Sequence, residues 1–247
     1  MADIRRVKLT VEYGGTNYAG WQIQPNGDTI QAELEKALVG VTGESIRVHG
    51  AGRTDAGVHA LGQVAHFDTQ STVPDESFAL ALNTYLPEDI RVTASESVPM
   101  DFHARFSAKG KVYAYHIFNR NTASAVYRNT TCSVKRPLDV SAMKKAAGYF
   151  LGEHDFSAFC AANTTVEDKV RTIYSLNVQD ELPLITITVE GNGFLYNMVR
   201  IIAGTLVDAG LGKLKPEQIE EILQSKQREQ ASATLPACGL ILKEVKY

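Results

Sequence analysis

The stretch Gly50-Ala51-Gly52-Arg53-Thr54-Asp55-Ala56-Gly57-Val58-His59-Ala60 sets three glycines and small alanines around one arginine and one aspartate. Glycine is favoured where a backbone turns sharply or must approach something closely. Residues 45–49 before the loop and 58–68 after it alternate as strands, so the loop is strung between rigid elements, a common support for a ligand-binding loop. Two readings are open: a tight turn closed by an Arg53–Asp55 salt bridge, or a loop that presents charge to a ligand. The spacing is G-x-G-x4-G, not the dinucleotide fingerprint G-x-G-x-x-G, and no lysine follows the last glycine. A strand follows, so no helix N-terminus is on hand to hold a phosphate.

Working outward, Val7, Leu9, Val11 and Tyr13 alternate with polar residues and predict a half-buried strand. A glycine-rich loop follows, Gly14-Gly15-Thr16-Asn17-Tyr18-Ala19-Gly20-Trp21, with the only tryptophan. Asp28 and Gln31 read as a capping box ahead of a helix whose apolar face is Ile30, Leu34, Ala37 and Leu38. A second helix is expected over 75–85, between Pro74 and Pro87, and a strand over 90–98. A boundary falls near residues 100–107, dividing the chain into halves 1–103 and 104–247. The second half starts again with a strand at 111–119, a helix at 140–151 and strands at 172–179 and 184–190. A helix at 195–209 is expected to stop at Gly210. Pro216 opens the last helix, with Ile219, Ile222 and Leu223 inward, and 239–245 closes the chain as a strand. Two rounds of strands and helices with hairpin-like joins indicate an α+β fold with antiparallel sheet.

Composition narrows the function classes. With 247 residues, 44% hydrophobic and 21% charged, the chain reads as a soluble globular protein with ample core. It has no apolar run long enough for a membrane span, and no signal-peptide core follows Arg5 and Arg6. Cys132, Cys160 and Cys238 form no pair motif, which fits a reducing cytoplasm. The six histidines show no metal-site spacing, and His59 and His66 read as strand residues. A net charge of −3 argues against a general nucleic-acid binder. Yet residues 102–138 hold seven basic side chains (Arg105, Lys109, Lys111, Arg120, Arg128, Lys135, Arg136) and no acidic one. The chain's average would put roughly four of each sign there. That segment is either a solvated basic face or a local site for a polyanion.

Other polar residues stand where a plain core would not want them. Tyr113 and Tyr115 share one strand face, which makes them either sheet packing or a stacking platform for bases. Gly191-Asn192-Gly193-Phe194-Leu195 joins a strand to a mostly apolar helix that carries Arg200. A guanidinium in such a place needs a partner, and Asp55 is one candidate.

These blocks together resemble the tRNA pseudouridine synthase A family. The resemblance runs nearly end to end. It rests on Tyr13-Gly14-Gly15-Thr16 through Gly20-Trp21-Gln22, the GAGRTDAGVHA loop, the FHARFSA stretch, Lys111-Val112-Tyr113-Ala114-Tyr115, and Gly193-Phe194-Leu195 through Met198-Val199-Arg200. Residues 119–137 carry no recognised motif. The resemblance implies the pseudouridine synthase fold: two α+β halves sharing a mostly antiparallel mixed sheet with a central cleft. It also implies isomerisation of uridine to pseudouridine at positions 38, 39 and 40 of the tRNA anticodon stem-loop, by a cytoplasmic homodimer without cofactor or catalytic metal. The family's nucleophile falls on Asp55 and its active-site tyrosine on Tyr113. Arg53 and Arg200 match arginines of the family's site, and Arg105 from the FHARFSA stretch joins them as a substrate-binding residue.

The chemistry suits these residue types. The C1′–N1 bond breaks, the uracil turns, and it rejoins through C5, with no redox change and no water consumed. A carboxylate attacks or stabilises the sugar carbon, as in a retaining glycosidase. A hydrolase would need a second carboxyl group to activate water, for which Asp68 is the nearest candidate. Asp55 must be ionised; burial opposes that, and a nearby cation such as Arg53 or Arg200 offsets it. The uridine must leave its stack, at a cost of a few kcal/mol. Tyr113 would stack on it or take the proton from C5, stacking being the favoured role because a phenol of pKa about 10 is a poor base at neutral pH, and Arg53 would fill the gap. Two rivals remain open: a noncatalytic RNA-binding module, which leaves the Asp55 loop unexplained, and a nucleoside or glycoside hydrolase.

Overall fold

The computed structural model describes residues 3–247, and its fold is α+β with a large, mostly antiparallel sheet. The chain forms two compact units, Met1–Lys109 with Ile241–Tyr247, and Gly110–Leu240.

The first unit holds β1 (Arg5–Tyr13), α1 (Ile30–Thr42), β2 (His49–Gly50), β3 (His59–Thr69), α2 (Phe78–Asn83) and β4 (Ile90–Val98). The C-terminal strand β10 (Leu240–Lys246) completes it. Strand order is β4-β1-β3-β10, antiparallel except for β10, which runs parallel to β3 through Ile241 opposite His59. The alternation in β1 is the one expected: Val7, Leu9, Val11 and Tyr13 are buried. Ile30, Leu34, Ala37 and Leu38 of α1 are also buried, each larger side chain contributing about 2 kcal/mol.

Several local expectations need correction. Thr29, not Asp28, caps α1, its Oγ1 accepting from Ala32 N at 3.3 Å. Gln31 turns inward and donates to Val48 O at 3.0 Å, while Glu35 Oε1 accepts from Val48 N at 3.0 Å. The segment 45–48 therefore bonds to helix side chains instead of a strand, and only His49 and Gly50 pair with β3. The second helix is a 3-10 turn, Asp75–Ser77, followed by the six residues of α2.

The second unit runs through β5 (Gly110–Asn119), β6 (Cys132–Val134), α3 (Val140–Ala147), β7 (Gly152–Asp155), β8 (Val170–Glu181), β9 (Leu184–Gly191), α4 (Met198–Gly210) and α5 (Gln218–Ser225). Strands β5-β9-β8-β7 pair antiparallel in that order, and β6 lies parallel on β5. The helix expected at 195–209 begins only at Met198. It includes Gly210, and the turn comes at Gly212, whose φ is +69°. Gly210 serves packing instead: a Cβ there would lie 2.9 Å from Met143 Cγ on α3.

Candidate active site

The Asp55 loop is gripped from three sides within the first unit. From β3, Gln63 Nε2 donates to Gly52 O at 2.9 Å, and Val64 O accepts from Ala51 N at 2.7 Å. From the end of β1, the Tyr13 hydroxyl shares a hydrogen bond with Thr54 Oγ1 at 2.8 Å. Burial pushes the Tyr13 phenol up to about 12, so it stays neutral as a hydrogen-bonding post. The third side is the glycine loop between β1 and α1. Trp21 N donates to Thr54 O at 3.0 Å, and its buried indole lies where a side chain on Gly50 would stand, 2.5 Å from such a Cβ. Gly20, at φ +98°, passes so near Thr54 that a Cβ would sit 2.5 Å from its carbonyl oxygen. Gly15 runs closer still to Val58 O, 2.0 Å from where its Cβ would lie, and donates its N–H to His59 Nδ1 at 3.1 Å.

Gly57 (φ +78°) and the bond from Val58 N to Asp55 O at 3.1 Å close the turn. Asp55 is left half-buried and Arg53 exposed. Arg53 makes no ion pair or hydrogen bond among the described residues, so the loop is not a turn closed by its own salt bridge. The role of the Gly14–Trp21 loop as the clamp's outer jaw was missed in the sequence. Two adjacent glycines and a third beside a lone tryptophan were its signal.

Asp68, the second carboxylate a hydrolase would need, is engaged elsewhere. It accepts from Arg6 Nε at 2.7 Å and Arg6 Nη2 at 2.8 Å. It also lies nine strand positions beyond His59, roughly 30 Å at strand rise. Arg105 is exposed near that same end of β3. Its guanidinium stacks 5.7 Å from the Phe106 ring, and the neighbouring Ala104 N bonds to His66 Nδ1 at 3.2 Å. His49, His66 and His103 meet there, with ring centroids 4.7 to 6.0 Å apart. Burial, aided by Arg6, lowers His66 to about 4.

In the second unit, Tyr113 on β5 is 8% exposed and meets the Phe194 ring edge-on at 5.2 Å. Phe194 comes from the glycine-flanked loop after β9; a Cβ on Gly191 would stand 3.3 Å from its ring. Tyr115, which shared the expected stacking face, is fully buried. Its hydroxyl donates to Pro236 O at 2.7 Å, so it is core and not a platform. Arg200 sits in the first turn of α4, half-buried. Its Nε donates to Leu235 O at 2.8 Å and its Nη1 to Asn197 Oδ1 at 2.7 Å. Asn197 adopts a left-handed conformation (φ +62°), sparsely populated by residues other than glycine. One turn further on, a Cβ at Gly204 would lie 2.2 Å from Ala233 O, and that absence lets the 233–236 segment reach Arg200. Sequence reasoning found Arg200 but neither anchor, because a backbone carbonyl and an αL asparagine leave no motif.

The described residues contain no cluster of three or more His, Cys, Asp or Glu side chains able to hold a metal ion, and no helix long and apolar enough to cross a membrane. A family model described as tRNA pseudouridine synthase matches residues 9–107 and 146–247. The chain belongs to the tRNA pseudouridine synthase family. Members of that family are isomerases that convert uridine to pseudouridine. The chain is 53% identical over 245 residues to tRNA pseudouridine synthase A of Ruminiclostridium cellulolyticum, covering 99% of this chain and 100% of that protein. It is 50% identical over 244 residues to the protein of that name from Acetivibrio thermocellus, with the same coverage. The family model passes over the Asp55 loop and Arg200 but not over Tyr113 or the basic stretch that follows it.

Proposed function

We propose that the chain isomerises uridine to pseudouridine in the anticodon stem-loop of tRNA, at positions 38, 39 and 40, with Asp55 as nucleophile. The observation that carries this reading is the clamped loop: one half-buried carboxylate on a turn held by Tyr13, Gln63 and Trp21, beside an exposed arginine that makes no ion pair or hydrogen bond among the described residues. Rigid support of this kind keeps a reacting group in productive geometry.

The carboxylate of Asp55 attacks the flipped uridine at ribose C1′ or at the base, and the C1′–N1 bond breaks. The freed uracil turns, C5 bonds to C1′ as the bond between Asp55 and the substrate breaks and the carboxylate is restored, the C5 proton leaves, and N1 takes up a proton. Nothing is oxidised and no water is consumed, so one carboxylate suffices. Tyr113 stacks on the extruded uracil; a phenol of pKa about 10 is a poor base at neutral pH. Arg53 fills the space the base leaves in the stem. Arg200, fixed by Leu235 and Asn197, supplies a positioned cation to the site, and Arg105 contacts RNA phosphate. The enzyme works as a cytoplasmic homodimer, because a tRNA exceeds one basic patch of this size.

A tRNA transcript carrying tritium at uridine C5 tests the reading. Tritium release with the base retained in the RNA is expected. Free uracil would make the enzyme a hydrolase, and binding with neither product would leave only an RNA-binding module.

A further inference from the structure

We propose that the ridge at residues 133–137, with Arg120 beside it, is a docking site for the sugar-phosphate backbone of tRNA, remote from the reacting uridine. The proposal rests on the reading of tRNA as substrate.

The ridge is a built feature. At the end of β5, Asn119 staples it in place: Nδ2 donates to Val134 O at 2.8 Å and Arg136 O at 2.7 Å, and Oδ1 accepts from Leu138 N at 3.2 Å. The Asn119 N–H meanwhile donates to Pro183 O at 2.8 Å, tying in the hairpin between β8 and β9. On this fixed crest Lys135 and Arg136 are exposed, with no ion pair and no side-chain hydrogen bond among the described residues.

Both side chains line two open grooves. The larger, about 720 Å³, continues past Arg120, Pro137, Leu182 and Pro183. The smaller, about 390 Å³, lies towards α4 and is also lined by Asp208 and Lys213. The two linings together hold four cations (Arg120, Lys135, Arg136, Lys213) and one carboxylate, Asp208, which Lys213 already pairs at 2.9 Å. A local charge of +3 on a chain of net −3 runs against the average of this surface. Arg120 is held in place by its stacking 4.8 Å from the Phe118 ring and by a bond from Nε to Thr122 O at 3.1 Å.

The linings favour a backbone over a small anion. The grooves are open, and the larger combines exposed cations with apolar Leu182, Pro183 and Pro137, which suits alternating phosphates and sugars. Tyr113 and Asn119 are six positions apart on β5, roughly 20 Å. The ridge therefore touches RNA well away from a base stacked on Tyr113.

The test compares Lys135→Gln/Arg136→Gln with the charge-retaining Lys135→Arg/Arg136→Lys, using full-length tRNA across a salt series. Filter binding is run beside tritium release. The neutralised variant is expected to raise KM and Kd roughly tenfold, and to lower the salt slope of binding by about 2. Its kcat stays at the wild-type value, and the charge-retaining variant keeps near-normal affinity. An unchanged salt slope in the neutralised variant, or equal loss in both variants, would overturn the docking site. Absence of tritium release from the wild type would instead refute the proposed activity, while the binding slopes would still decide the ridge.

Discussion

Gly20 and Thr54 approach so closely that a single methyl group on Gly20 would stand 2.5 Å from the Thr54 carbonyl oxygen. The same glycine holds φ at +98°, where L side chains are strained. Gly20→Ala is therefore expected to lose about 2 kcal/mol or more and to lower turnover, because the jaw against the Asp55 loop must open. Urea unfolding and tritium release check this together. A variant of wild-type stability and rate would show that the clamp is not needed.

Arg200 depends on Asn197 and Leu235 for its orientation. Asn197→Gly removes the side-chain anchor while keeping a backbone that tolerates φ +62°. Stability is expected to stay within about 1 kcal/mol of wild type, and turnover to fall about tenfold. A proportional loss of both would make Asn197 a purely structural residue.

The first helix face, β3, β4 and the β8–β9 hairpin were legible in the sequence because apolar side chains recur there at the helix or strand period. Residues 45–48 read as a strand for the same reason: Ile46 and Val48 are buried and alternate. Periodicity reports which side chains are inside, not where the backbone bonds go, and here they go to Gln31 and Glu35 of α1. The Asp55 loop was legible by composition. Its jaw, the Leu235 carbonyl and the strained Asn197 were not, since each acts through backbone geometry. For Tyr113 and Tyr115 packing and stacking both stayed open, because two tyrosines on one strand face look alike until depth separates them.

That separation is measurable. Tyr115→Phe removes the part-buried hydrogen bond to the Pro236 carbonyl and should cost about 1 kcal/mol while leaving the rate of the chemical step intact. Tyr113→Phe is expected to keep both stability and turnover, whereas Tyr113→Ala should lower kcat/KM roughly 10- to 100-fold through lost stacking. Complete inactivity of Tyr113→Phe would assign the hydroxyl a proton-transfer role.

His66 is held near 4, below the ordinary value of 6.5, chiefly by burial. The unfolded chain then binds more protons between those values, so stability is full above about pH 6.5 and falls as the pH drops towards 4. The loss amounts to roughly 3 kcal/mol at most for this one group. His66→Phe should unfold with a shallower pH dependence across that window in urea titrations. An identical slope in both proteins would remove His66 as the cause.

The most direct measurement concerns Asp55. Asp55→Asn keeps the size and turn position of the residue and removes the negative charge. The expected result is a folded protein with near-normal tRNA affinity and no tritium release above background after prolonged incubation. Near-normal release from a clean preparation of that variant would contradict the nucleophile assignment.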